Sequence, residues 1–238
     1  MLLTTGQAAE ELGCAVTTFR RLITAGVLPG LSRRGVRVMT PLPVVQALQE
    51  RAHAPLHRLG VTELGVLRID AARQVDDDRQ WIGYAPRLGP DRLLNSLKGW
   101  WRCDAPTIAA ADVLPVTLSG YVVAVLTGLH PFERNTEGRY AFSAARLAGY
   151  VTDLAAPATE LTSRVKSDHA FAELLLGTRL ASHSGGAIAY VTANTTKPTP
   201  PHGCTRDHDG RTELQHRPGR AAHPARPDQK DHSSPGQT

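Results

Sequence analysis

The run Thr4-Thr5-Gly6-Gln7-Ala8-Ala9-Glu10-Glu11-Leu12-Gly13, followed closely by Val16-Thr17-Thr18-Phe19-Arg20-Arg21-Leu22-Ile23-Thr24-Ala25-Gly26, sets the architecture of the amino-terminal end. Thr4 or Thr5 can cap a helix by accepting from its free backbone N–H groups, and the acids that follow are expected where the helix dipole favours them. Ala8, Ala9 and Leu12 make the apolar face of this short helix, and Gly13 supplies the left-handed turn that ends it. Phe19, Leu22 and Ile23 recur at three- and four-residue spacing, which predicts a second helix over 16–25 packed on Ala9 and Leu12. Thr17, Thr18, Arg20, Arg21 and Thr24 fall on its other face, and Gly26 ends it.

Further along, Leu31 on one side and Val36 and Val38 on the other flank an Arg33-Arg34-Gly35 tip, the pattern of a β-hairpin with a basic turn. Pro41 or Pro43 then starts a third helix with Val44, Val45, Ala47 and Leu48 on its apolar face. Two short helices joined by a glycine turn, the second carrying Thr and Arg outward, is how a helix-turn-helix presents side chains to a major groove. Residues 2–50 resemble the MerR/excisionase-type winged helix-turn-helix. The Thr4–Gly13 opening, the Thr17–Arg21 segment, the Ala25–Pro29 exit, the Ser32–Arg37 wing and the Pro41–Leu48 closing helix follow that family pattern in order. Many members carry an aromatic residue where Leu22 stands. The resemblance implies that Thr17, Thr18, Arg20 and Arg21 approach the major groove of double-stranded DNA, while Arg33, Arg34 and Arg37 serve a wing along the minor groove or phosphates. It covers about a fifth of the chain.

Charge agrees with such a partner without requiring it. Residues 1–52 hold six Arg against three Glu, residues 53–196 balance, and the tail from Lys197 is again basic, within a net charge of +5. An apolar fraction of 41% and a charged fraction of 21% are those of a soluble globular protein rather than a disordered or membrane one. The longest apolar run, Leu114 to Leu129, is interrupted and too short to span a bilayer, so no membrane partner is expected. Met1-Leu2-Leu3-Thr4-Thr5 lacks a leader pattern, and three scattered cysteines (Cys14, Cys103 and Cys204) offer no disulfide framework; both point to the cytoplasm.

After a linker at 53–60, residues 61–192 read as a mixed α+β domain with a largely antiparallel sheet. Strand or helix-strand character is expected over Val61–Val75, with Leu64, Val66 and Leu67 buried, and strands at Trp81–Tyr84, Tyr121–Leu126, Tyr140–Phe142 and Ala187–Val191. Helices are expected from Pro90 to near Gly99 and over Thr107–Val113 and Phe171–Leu180. The role expected for this domain is contact with a small molecule or a protein.

Chemical motifs here are sparse. Asp76, Asp77 and Asp78 with Asp70 invite a metal reading, yet consecutive carboxylates at a turn are usually a solvated loop. Trp100-Trp101-Arg102 could cage a base or a cationic ligand, or simply fill a core. His183-Ser184-Gly185-Gly186 lacks the lysine and spacing of a phosphate loop. Between Lys197 and Thr238 there are seven Pro and five His with a single large aliphatic residue, Leu214, so residues 193–238 are expected to be disordered. Cys204 with His202 and His208 matches no closed zinc site.

The expectation is therefore a non-enzymatic, sequence-specific DNA-binding protein, a transcription regulator or a recombination-directionality factor, with no cofactor and no metal. The alternative is a nucleic-acid-processing enzyme whose middle domain is catalytic. Ala54-Pro55 and Gly60 interrupt any long dimerisation helix after Leu48, which leaves a weak dimer or cooperative assembly on DNA.

Overall fold

Thr4 caps the first helix through its side chain, which accepts from Gln7 N–H, while the Gln7 side chain accepts from Thr4 N–H. This reciprocal capping box satisfies two of the free donors at the helix start. The computed structural model of the chain describes residues 1–76, 79–183 and 185–193. Its amino-terminal part consists of β1 (Leu2–Thr4), α1 (Thr5–Leu12), α2 (Val16–Ala25), β2 (Ser32–Arg34), β3 (Arg37–Pro41) and α3 (Leu42–Gln49). The strands form a three-stranded antiparallel sheet in the order β1-β3-β2. Gly13 (φ 69°) and Gly26 (φ 78°) close α1 and α2 in the left-handed conformation, where a side chain would be strained.

Two details differ from expectation. Glu10 and Glu11 lie in the last turn of α1 and none of its first turn is acidic, so the dipole does not favour them. Val36 does not flank the hairpin tip but sits in it with Gly35, fully exposed, because β2 and β3 pair as far as Arg34 opposite Arg37.

The rest of the described chain comprises β4 (Glu63–Ile69), β5 (Arg73–Gln74), β6 (Trp81–Ile82), α4 (Gly89–Leu97), β7 (Gly99–Trp101), α5 (Ala105–Ala111), β8 (Val113–Leu118), β9 (Tyr121–Thr127), β10 (Glu133–Arg134), β11 (Tyr140–Ala141), β12 (Arg146–Asp153), β13 (Ala158–Leu161), α6 (Lys166–Leu175) and β14 (Ile188–Thr192). This is mixed α+β. The main sheet runs β13-β12-β9-β8-β4-β14, with every neighbour antiparallel except β4 and β8. A smaller sheet, β10-β11-β7, and the β5-β6 ribbon stand beside it.

Several element boundaries differ from expectation for identifiable reasons. Val113 opens a fully buried strand rather than closing a helix. Pro115 is tolerated there because pairing with β4 begins only at Val116. Helix α6 starts five residues before Phe171 and stops at Leu175. Gly177 (φ 73°) turns the chain back, and residues 177–180 run beside β9 through Gly177 N to Val122 O and Leu180 N to Gly120 O. Phe142 lies beyond β11 as a buried side chain. Ala193, expected by composition to belong to the tail, is buried and donates to Thr62 O. The disorder expected of 194–238 falls outside the described residues.

One continuous apolar core links the amino-terminal part to the rest of the described chain, from Leu3, Phe19, Leu22 and Leu48 to Leu67, Val123 and Ile188. The segment expected as a linker is tied at Ala54 N to Arg179 O (2.9 Å) and, just before it, by Arg179 N to Ala52 O (2.8 Å). Among the described residues, no helix is long and apolar enough to cross a membrane.

Candidate nucleic-acid interface

Helix α2 buries Phe19, Leu22 and Ala25 and exposes, among its polar residues, Thr17, Arg20, Arg21 and Thr24. The exposed four recur at the three- and four-residue spacing that makes one face of a helix. Thr18, half-buried, begins the next face round, toward the main sheet, and Arg21 stands at its edge.

That second face is engaged. Ser119 Oγ donates to Thr18 O at 2.9 Å, and Arg21 Nε meets Asp70 Oδ1 at 2.7 Å. Together with the ends of the parallel strands β4 and β8, they border a polar cleft of about 730 Å³ that includes Arg68, His183 and Gly185. Further bonds fix the same junction: Tyr121 Oη donates to Leu48 O (3.2 Å), Leu154 N to Val27 O (3.0 Å) and Arg51 Nη2 to Ala155 O (3.3 Å). Burial raises the Tyr121 hydroxyl above its ordinary value, partly offset by Arg179, so it stays a donor at neutral pH.

The hairpin is different. Arg33, Arg34 and Arg37 are all exposed, and among the described residues none of them is ion-paired. Arg34 and Arg37 stand directly opposite each other across the turn. Like charges in that position repel.

Asp70 and Ser119 were not legible as partners of α2. By sequence Asp70 reads as a metal-ligand candidate, and Ser119-Gly120 as an interruption of the apolar run Leu114 to Leu129. Ser119 (φ 54°) and Gly120 (φ 84°) make the two-residue turn between β8 and β9, and a Ser-Gly pair between apolar segments is a hairpin signal that could have found it. Among the described residues no group of three or more His, Cys, Asp or Glu is placed to hold a metal ion; Asp77 and Asp78 lie outside those residues. The Cys103 thiol is pushed up to about 11, by burial first and then by Asp104, and burial raises Cys14 as well. Both are protonated at neutral pH and poor nucleophiles.

The Trp100-Trp101-Arg102 cage does not form as a unit. Successive strand residues face opposite ways. Trp101 is buried with Nε1 donating to Leu97 O (2.8 Å), whereas Trp100 is half-buried on the other face and Arg102 is exposed.

Compared with known proteins, the chain matches no family model, no curated protein and no solved structure.

Proposed function

We propose that this chain binds double-stranded DNA through its first fifty residues, in the manner of a MerR/excisionase-type winged helix-turn-helix. In this reading Thr17 and Arg20 read base edges in the major groove, and Arg33, Arg34 and Arg37 neutralise phosphates beside it. The observation that carries it is the pairing of an outward Thr/Arg face on α2 with a hairpin whose three arginines are exposed and, among the described residues, without an ion pair.

Thr18 takes part beside them, and Arg21 takes part by exchange. The Arg21–Asp70 pair has side chains 51% and 68% exposed, so it is worth roughly 0–1 kcal/mol. A bidentate arginine–guanine contact discriminates by roughly 1–3 kcal/mol, enough to draw Arg21 from Asp70. The role is that of a transcription regulator or recombination-directionality factor, the α+β part contacting a small molecule or protein. A single head reads few base pairs, so selectivity comes from a weak dimer or cooperative binding on repeated sites.

The test is capture of genomic fragments by the full chain, followed by sequencing and anisotropy titration of the enriched fragment across salt. A recurrent motif bound with a steep salt dependence supports the proposal. Equal recovery of all sequences, or affinity indifferent to salt, overturns it.

A further inference from the structure

Trp100 lies apart from α2 and the hairpin, and its surroundings are chemically specific. It lines a cavity of about 270 Å³ with Arg79, Asn95, Lys98, Glu133 and Ser143, built between the end of α4 and the β10-β11-β7 sheet. The backbone at its floor is drawn tight: a Cβ on Gly99 would stand 2.6 Å from Ala141 Cβ, so only glycine lets β7 and β11 approach this closely. Arg79 Nη1 donates to Gly99 O at 2.6 Å, which holds the guanidinium against this wall.

The lining is an aromatic surface ringed by hydrogen-bonding groups of both kinds. Lys98 donates, Glu133 accepts, and Asn95 and Ser143 do either, while Arg79 is taken up by the wall itself. An aliphatic ligand would use the indole but waste the polar edge. A flat heteroaromatic ring with donors and acceptors on its rim satisfies both features. The cavity lies just under the roughly 300–1,000 Å³ of pockets for drug-sized ligands, which suits one ring system rather than a dinucleotide cofactor.

We propose that this cavity takes a single unpaired nucleobase, stacked on Trp100, with the Glu133 carboxylate accepting from an exocyclic amino group and Lys98 donating to a ring or carbonyl acceptor. The site stands on the α+β part alone and does not depend on how the amino-terminal part binds DNA. The base arrives either on a free nucleotide or on a nucleic-acid strand.

The experiment follows tryptophan emission of the full chain as it is titrated with each of the four deoxynucleoside monophosphates, with deoxyribose 5-phosphate, and with a duplex carrying one extra unpaired base or none. Quenching by the monophosphates but not by the base-free sugar phosphate is the expected result. Followed by calorimetry, because the substitution removes the reporting indole, Trp100→Ala should weaken monophosphate binding roughly ten-fold or more, as removal of base stacking does, with Trp100→Phe retaining most of it. Because Trp100→Ala can disturb β7, the exposed Glu133→Gln serves as the second variant. It should weaken dAMP, dCMP and dGMP several-fold relative to dTMP. Response to the monophosphates assigns a nucleotide ligand, and response only to the bulged duplex assigns a strand; either upholds the base site. A response equal for the base-free sugar phosphate, or unchanged in both Trp100→Ala and Glu133→Gln, overturns it. Failure of the DNA-binding proposal would show instead as loss of motif recovery with monophosphate binding intact.

Discussion

Two Arg–Asp pairs in this molecule use the same chemistry at different depths. Arg146 grips Asp168 with two bonds, Nε to Oδ2 at 2.9 Å and Nη2 to Oδ1 at 3.1 Å, and Ser163 Oγ adds a third to a carboxylate only 3% exposed. Arg21 meets Asp70 through one bond between two largely exposed side chains. Burial opposes ionisation of Asp168, but Arg146 and Ser163 outweigh it and hold the carboxyl below its ordinary value. The first pair ties β12 to α6 and is a fixture of the fold. The second ties α2 to the end of β4 and costs little to open. Depth therefore separates an arginine committed to structure from one on loan to it, and only the second is available to the proposed DNA partner.

The largest effect should come from breaking the deep pair. Asp168→Ala strands Arg146, though the 43% exposure of that side chain lets water take up part of its charge. The expected loss is about 2 kcal/mol, the scale of charged hydrogen bonds, read as a lower midpoint in denaturant. The pH dependence has a definite sign. A carboxyl whose folded value is lowered contributes stability above its ordinary value of 3.8, and that contribution disappears as pH falls through the folded value. Asp168→Asn should therefore flatten the acid limb of the stability curve, and an acid limb identical to that of the parent chain would contradict the assignment.

Next in size are the arginines proposed to read bases. Arg20→Ala should cost roughly 1–3 kcal/mol on the preferred site and relax its specificity, whereas Arg21→Ala should cost less, since Arg21 must first leave Asp70. Equal losses at the two positions would mean that the Asp70 pair does not restrain α2. Replacing Arg33, Arg34 and Arg37 together with Ala should weaken all sequences alike and lower the salt slope by roughly 0.9 for each phosphate that is no longer neutralised. A slope unchanged by that triple substitution would remove the hairpin from the interface.

The smallest effect sharpens the comparison most. Asp70→Asn removes the charge that holds Arg21, with a stability cost under about 1 kcal/mol, and should raise affinity for the preferred site by a similar amount. A destabilisation as large as that of Asp168→Ala would show that the exposed pair is structural after all.

Local chemistry was enough to delimit the amino-terminal part. The capping threonine, the glycines at 13 and 26 and the Phe19/Leu22 spacing act within a few residues of themselves, and α2 runs over Val16–Ala25 as that spacing requires. The strand Tyr121–Thr127 was legible for a related reason, because a β-branched and apolar run buried on both sides leaves a continuous signal. Strand β12 was not. Gly149 breaks its pattern, and the reason for that glycine is distant in sequence: a Cβ there would stand 2.8 Å from Glu160 O on β13, beside a register shift against β9. The partition of α2 was equally hidden. Sequence placed Thr17, Thr18, Arg20 and Arg21 together on one polar face, and nothing within the helix distinguishes them. Only the arrival of Asp70 and Ser119, from strand ends 49 and 101 residues away along the chain, divides that face into an open half and an engaged half. Helical periodicity is set by hydrogen bonds four residues apart, whereas the choice between two exposed arginines is made by whichever carboxylate the sheet delivers.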